Sequence, residues 1–191
     1  MAAPAFEPIH PPAPALADER VRLRPWHLAD VDAVTAACQD SEIARWVPIP
    51  WPYLREHAVG FIERTIADWA DGVAAEFALT DPGDGHVVGA LGLRRDPSVP
   101  RGGIIGYWVA TEARGHGVAT SATRLVAHWA LVKLRLERVS LYTYVGNIAS
   151  QRVAQHAGFR FEGTLRNWVE YRGQPRDAVM FSLIPEDLAT R

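Results

Sequence analysis

Ile104-Ile-Gly-Tyr-Trp-Val-Ala-Thr-Glu-Ala-Arg-Gly-His-Gly-Val-Ala-Thr-Ser-Ala-Thr-Arg-Leu-Val-Ala-His-Trp129 reads as a strand, a glycine-rich turn and a helix in direct succession. Ile104 to Val109 is apolar throughout except at Gly106, and Ala122, Leu125, Val126, Trp129 and Val132 then recur at helical spacing on one face. The turn Arg114-Gly115-His116-Gly117-Val118-Ala119 falls where the first N–H groups of a helix have no intrahelical acceptor. Gly115 and Gly117 carry no Cβ, so an anion can approach the backbone closely, and the helix dipole adds about half a positive charge. Arg114 can add a bidentate guanidinium contact. The segment predicts an anion site; a plain tight strand-to-helix turn is the alternative that two glycines alone leave open. A P-loop would need Gly-Lys-Ser/Thr, and the single lysine, Lys133, lies far from these glycines. A dinucleotide fingerprint would need Gly or Ala where Thr120 stands, followed by a parallel βαβ unit with a ribose-binding acid, and none follows.

Outward from this segment the local period keeps changing between two and three to four, without repeats or an internal linker, which predicts a mixed α/β chain. Val21, Leu23 and Pro25 alternate with arginines as a first strand, and Leu28, Val31, Val34 and Cys38 follow at helical spacing. Trp46-Val-Pro-Ile-Pro-Trp-Pro-Tyr53 is irregular, since each proline removes a donor and biases its predecessor away from helix. A second helix carries Ala58, Phe61, Ile62, Thr65, Ile66 and Trp69 and stops at Gly72. Phe77 to Thr80 and His86 to Arg94 flank the turn cluster Asp81-Pro-Gly-Asp-Gly85, an antiparallel hairpin. Arg138 to Val145 is a strand, Ile148 to Ala157 a short helix stopped by Gly158, and two terminal strands turn near Arg172-Gly-Gln-Pro175. The expectation is seven strands and about four helices.

A chain of 191 residues suits one domain. Its 48% apolar and 22% charged content is that of a globular protein, and a formal charge of −2 excludes binding to nucleic acid driven mainly by counterion release. The single cysteine, Cys38, excludes an intramolecular disulfide framework and zinc sites built on paired cysteines, and fits a reducing, cytoplasmic setting. Pro, Arg, Asp or His interrupts every apolar run before membrane-spanning length. Residues 1–17 are rich in Ala and Pro and read as a flexible or extended arm, leaving 18–188 as the domain. The seven histidines form no i, i+4 pair and have no nearby acid in a ligand pattern, so no metal site is expected.

The chain resembles the GNAT superfamily of N-acetyltransferases, whose acyl-CoA pyrophosphate loop has the pattern Arg/Gln-x-x-Gly-x-Gly/Ala, matched by Arg114, Gly117 and Ala119. The resemblance narrows to the RimJ/RimL-like branch: Gly106-Tyr-Trp-Val109, Gly115-His-Gly-Val-Ala-Thr120, Asn147-Ile-Ala-Ser150 and Gly158-Phe-Arg-Phe-Glu-Gly163 stand in the family's order over about residues 18–188. It implies an α+β fold: a mostly antiparallel seven-stranded sheet, splayed after Val109, with the pantetheine arm of acetyl-CoA lying in the gap like an added strand. A backbone N–H near Trp108 or Val109 would then face the thioester carbonyl. The resemblance assigns donor binding to Tyr107, Trp108 and Val109, to Arg114, Gly115, His116, Gly117, Val118, Ala119 and Thr120, and to Asn147 and Ser150. A homodimer is a further family expectation.

No Gly-x-Ser-x-Gly elbow is present and Cys38 reads as a small core residue, so direct attack by an amine in a ternary complex is expected. Ser150 stands where this branch places the group that protonates the departing thiolate; helix capping is its other reading, and Tyr142 and Tyr144 compete as acids. Glu76, Glu112 and Glu170 are the candidate bases. The branch implies a carboxylate in the strand after Glu162-Gly163; Val169 falls at that point, so Glu170 fits only with a bulge. Trp46, Trp51 and Tyr53 would wall the acceptor cleft or pack as core. The acceptor is expected to be a protein α-amino group or a small amine, and the alternatives are a succinyl-CoA-using transferase and a non-catalytic acyl-CoA sensor.

Overall fold

Strand alternation along the chain resolves, in the computed structural model of residues 8–189, into one seven-stranded sheet. Its strands are β1 (Arg22–Pro25), β2 (Ala74–Thr80), β3 (Val87–Arg95), β4 (Gly102–Val109), β5 (Arg138–Tyr144), β6 (Arg160–Tyr171) and β7 (Gln174–Leu183), in the order β1-β2-β3-β4-β5-β7-β6. Every neighbouring pair is antiparallel except β4 with β5. The fold class is the α+β arrangement expected. The helices are α1 (Val31–Ala37), α2 (Ser41–Trp46), α3 (Arg55–Ala70), α4 (Val118–Val132), α5 (Ile148–Ala157) and α6 (Pro185–Leu188). Short 3-10 turns at Leu28–Asp30 and Thr111–Ala113 precede α1 and the glycine loop. Helices α2 and α6 are additional to the four expected, and α1 begins three residues later than its apolar spacing starts.

All of β2 is buried, because helices cover both faces of the sheet there. Ala75, Phe77 and Leu79 face α4 and pack with Val118, Ala122 and Val126, whereas Ala78, with Ala90 of β3 and Trp108 of β4, faces α1 and α3. The parity of a strand therefore decides which core a residue joins. Trp69, Phe77 and Trp129 pack edge to face at centroid distances of 5.2 and 5.9 Å, tying α3, β2 and α4 together.

The N-terminal arm, expected to be flexible or extended, packs against the domain where it is described. Residues 1–7 lie outside the described residues, but residues 8–17 are docked rather than free. Ile9 is completely buried in the α4-side core, its N–H donates to the Gly72 carbonyl at 2.9 Å, and Leu16 accepts from the Leu23 N–H. Composition pointed to a loose arm because the prolines prevent regular structure, yet one apolar side chain among them suffices to anchor the segment. Ile9→Ala is expected to cost about 2–4 kcal/mol of unfolding free energy, measured by urea denaturation. A change below about 0.5 kcal/mol would mean that the segment does not belong to the folded unit.

Candidate active site

Strands β4 and β5 pair only at Gly102, Gly103 and Ile104, opposite Arg138, Val139 and Ser140. Beyond that point β4 stays with β3 as far as Val109 and β5 stays with β7 as far as Tyr144, so the sheet opens into a V. The backbone facing this gap follows from strand alternation. Ala110 N–H donates to Val88 O at 2.9 Å, toward β3. One residue earlier the direction reverses, so of the two expected amides Val109 N–H is the one that faces the gap.

The gap opens into a cavity of about 1150 Å³ whose first wall is the glycine loop and the start of α4: Arg114, Gly115, Gly117, Val118, Ala119 and Thr120. Gly115 and Gly117 have φ of +80° and +82°, a left-handed conformation that glycine adopts without strain. Ser121 N–H donates to Gly117 O at 2.9 Å, which begins the helix ladder. The amides of Val118, Ala119 and Thr120 precede that ladder at the positive end of a fifteen-residue helix. Arg20 lies over the loop, since a Cβ on Gly117 would meet its Nη1 at 2.8 Å. His116 is exposed and does not line the cavity. The Arg114 guanidinium, expected on the phosphate, is held by protein groups: it donates to Val109 O at 3.0 Å and to Asp40. Asp40 also accepts from Thr111 Oγ1 and caps α2 through the Glu42 N–H. Burial works to raise the Asp40 carboxyl, but the bonds from Thr111, Glu42 N–H and Arg114 overcome it and hold it below the usual carboxylate range. Nothing in the sequence signals this brace, whose ends lie 74 residues apart.

Tyr107, Trp108 and Val109 of β4 and Asn147 and Ser150 of α5 form the next walls. Asn147, not Ser150, is the helix cap: its Oδ1 accepts from Ser150 N–H at 3.1 Å. The Ser150 hydroxyl is instead 2.7 Å from the Tyr107 hydroxyl. Burial pushes the Tyr107 phenol up to about 12. Tyr142 and Tyr144 of β5 line the cavity on its other side, and burial raises the Tyr144 phenol. Tyr144 packs between Trp46, at 6.2 Å, and Tyr171, at 5.6 Å.

The α1–α3 side of the cavity is lined by Cys38, Trp46, Tyr53, Phe61, Glu76 and Arg94. Trp46 and Tyr53 wall the cleft as expected, whereas Trp51 is about half exposed and outside it. The Cys38 thiol is pushed up to about 12 by burial, which leaves no thiolate to act as nucleophile. Glu76 is 7% exposed and shares Arg94 with Asp68, at 2.5 and 3.0 Å. Its carboxylate fits because residue 92 is glycine: a Cβ there would lie 2.3 Å from Glu76 Oε2. Burial pushes the Glu76 carboxyl up, with Arg94 opposing. Gly106 on β4 has open space where a side chain would stand, so the floor beneath the gap is bare.

Glu170 is a correction. The bulge it required is present, as a register irregularity between Leu165 and Val169 with Asn167 at φ +51°. Pairing is regular again from Val169, however, and it is Tyr171 that turns toward α2 and β5, donating from its hydroxyl to Ala44 O and packing on Tyr144. Glu170 points the other way, is exposed and does not line the cavity. Glu112 is likewise exposed and outside it. His86, whose neighbouring acids stand in no recognised ligand pattern, has Asp84 at 2.6 Å, and with Asp81 these turn residues bring ligand atoms within 4.8 Å of one another. Asp81 is half-buried, Asp84 and His86 are exposed, and none of the three lines the cavity.

The family model of the acetyltransferase (GNAT) domain matches residues 20–160. YdaF of Bacillus subtilis (strain 168), provisionally named a ribosomal N-acetyltransferase, is 33% identical over 144 residues, 72% of this chain and 78% of its own. RimJ of Mycobacterium smegmatis, solved in complex with CoA-disulfide, superposes with a TM-score of 0.78 at 26% identity, over 88% of this chain and 83% of that one. Spermidine N-acetyltransferase from Vibrio cholerae, solved with CoA and spermine, shares the fold at a TM-score of 0.75 and 16% identity, over 90% of this chain and 99% of that one. With the family match running from β1 through the splayed strands and the glycine loop to α5, the chain belongs to the GNAT family of N-acetyltransferases, in its RimJ/RimL-like branch.

Proposed function

We propose that this protein transfers an acetyl group from acetyl-CoA directly to an amine, either the α-amino group of a protein N-terminus or a small-molecule amine. The observation that carries this reading is one continuous cavity, with unpaired helix N-terminal amides at one end and the buried Glu76 at the other, meeting where β4 and β5 separate. The diphosphate of CoA sits on the amides of Val118, Ala119 and Thr120, Gly115 and Gly117 allowing its close approach. The pantetheine arm lies in the gap and the thioester carbonyl accepts from Val109 N–H, which stabilises the oxyanion as the amine adds. Glu76 takes the proton from the attacking nitrogen in place of Glu170, and burial, which raises its carboxyl, makes it a stronger base than an exposed glutamate. Ser150 donates to the departing sulfur, a modest task because a thiol near pKa 8.5 leaves readily. Tyr144, beside the gap, belongs to the aromatic wall of the acceptor side. An α-amino group, with a pKa of about 7.7–8.0 against about 10.4 for lysine, is partly unprotonated at neutral pH, which leaves Glu76 the proton released as the C–N bond forms.

The similarity to YdaF and RimJ supports a ribosomal-protein N-terminus as the acceptor, and the CoA in the RimJ complex supports the donor. Incubation with acetyl-CoA and a panel of peptides and small amines, following free thiol, tests the reading. Thiol release that depends on an amine is the expected result. Tight binding of CoA with no release above hydrolysis would identify a sensor, and release from succinyl-CoA in preference to acetyl-CoA would change the donor.

A further inference from the structure

Tyr107 and Ser150 lie on opposite walls of the splay. Tyr107 follows Ile104, the last β4 residue paired to β5, and Ser150 sits in the first turn of α5, just after β5 ends. Their hydroxyl oxygens are 2.7 Å apart, so two side chains bridge a gap that the backbones leave open. The Ser150 backbone is fixed separately by Asn147 Oδ1. The serine is thus held at both its N–H and its Oγ, which settles where its hydroxyl stands.

The direction of the hydrogen bond decides what this pair can do. A phenol is a much stronger acid than an alkyl hydroxyl and hence the better donor, and burial keeps Tyr107 protonated at any working pH. Tyr107 donates, Ser150 Oγ accepts, and the serine's own hydrogen stays free for a third partner. Without Tyr107, a serine in a first helical turn rotates among its rotamers or turns toward nearby backbone groups.

We propose that Tyr107 is a positioning residue for departure of the thiol: by donating to Ser150 Oγ it aims the Ser150 hydrogen at the sulfur of CoA. The inference rests on the acetyl-transfer reading. As the amine nitrogen forms the C–N bond, the C–S bond breaks and its electron pair remains on sulfur, where the Ser150 O–H donates. The proton lost by nitrogen passes through Glu76 to solvent and one returns to sulfur, so the products are the amide and free CoA thiol. Tyr107 itself keeps its proton, because handing it from a phenol this weak to a thiolate near pKa 8.5 is strongly uphill.

Tyr107→Phe keeps the ring and removes only the donor. Its kcat is expected to fall about tenfold, with the KM for acetyl-CoA changed less than twofold and the melting temperature retained. Ser150→Ala is expected to lower kcat at least as much, and Tyr107→Phe added to Ser150→Ala to have no further effect, since the tyrosine acts only through the serine. A wild-type kcat in Tyr107→Phe, or effects that multiply in the double variant, overturns the inference while leaving acetyl transfer intact. A raised KM with kcat unchanged overturns it too, assigning Tyr107 to donor binding. Wild-type protein that releases no thiol overturns both readings.

Discussion

Gly117→Glu is expected to weaken acetyl-CoA binding at least a hundredfold while leaving the protein folded. Two effects separate at this residue. The backbone there is left-handed, φ +82°, which costs a non-glycine residue roughly 1–2 kcal/mol, and the new Cβ would meet the end of the Arg20 side chain, a group free to swing aside. The charge acts differently. A carboxylate on the rim of the amide cluster takes the place intended for the diphosphate and repels it; at about 4 Å two unit charges interact by about 4 kcal/mol at an effective dielectric of 20. A hundredfold loss needs only about 2.7 kcal/mol. Gly117→Ala carries the same backbone strain without the charge, so it is expected to lose stability similarly and affinity far less. Calorimetric titration with acetyl-CoA beside thermal denaturation resolves the two, and a glutamate variant that binds as the wild type does would remove the loop from the donor site.

The loop and the seven strands could be read directly because their signals are local: glycines between an apolar strand and an amphipathic helix, and side chains alternating with a period of two. The features that escaped are those for which geometry couples distant residues. Helix α2 is six residues long beside a proline-rich stretch, too short to show a period, and only its cap, Asp40 followed by Glu42, marks it. The partner of Arg114 is that same Asp40, so an arginine expected on the phosphate also braces the loop against α2. The base shows the limit of strand parity. Glu170 lay close to the position the resemblance implies, but a one-residue offset turns it to the far face, and the bulge comes too early in β6 to restore it. Glu76 was open to sequence reasoning as one acid among three. What singles it out is Gly92 across the sheet, whose missing side chain makes room for its carboxylate.

Glu76→Gln is accordingly expected to lower kcat/KM by about 100- to 1000-fold, within the range for loss of a general base. The substitution keeps the side chain's shape and leaves Arg94 paired with Asp68 at 3.0 Å, so the fold has no uncompensated charge to bury. The pH profile identifies the role. Glu76 must be ionised to accept a proton, and burial has moved its titration above the ordinary carboxylate range. Wild-type activity therefore rises with pH through two ionisations, that of Glu76 and that of the amine, whereas the glutamine variant lacks the first and its residual rate follows only the ionisation of the amine. Gly92→Ala adds a methyl group that would stand 2.3 Å from the carboxylate oxygen; displacing Glu76 without changing its charge, it should lower kcat in the same direction. Glu170→Gln, on the exposed face of β6, should retain the wild-type rate. If Glu76→Gln keeps the acidic limb while Glu170→Gln abolishes it, the proton leaves the nitrogen by another route and the acceptor side of the cleft has been read from the wrong residue.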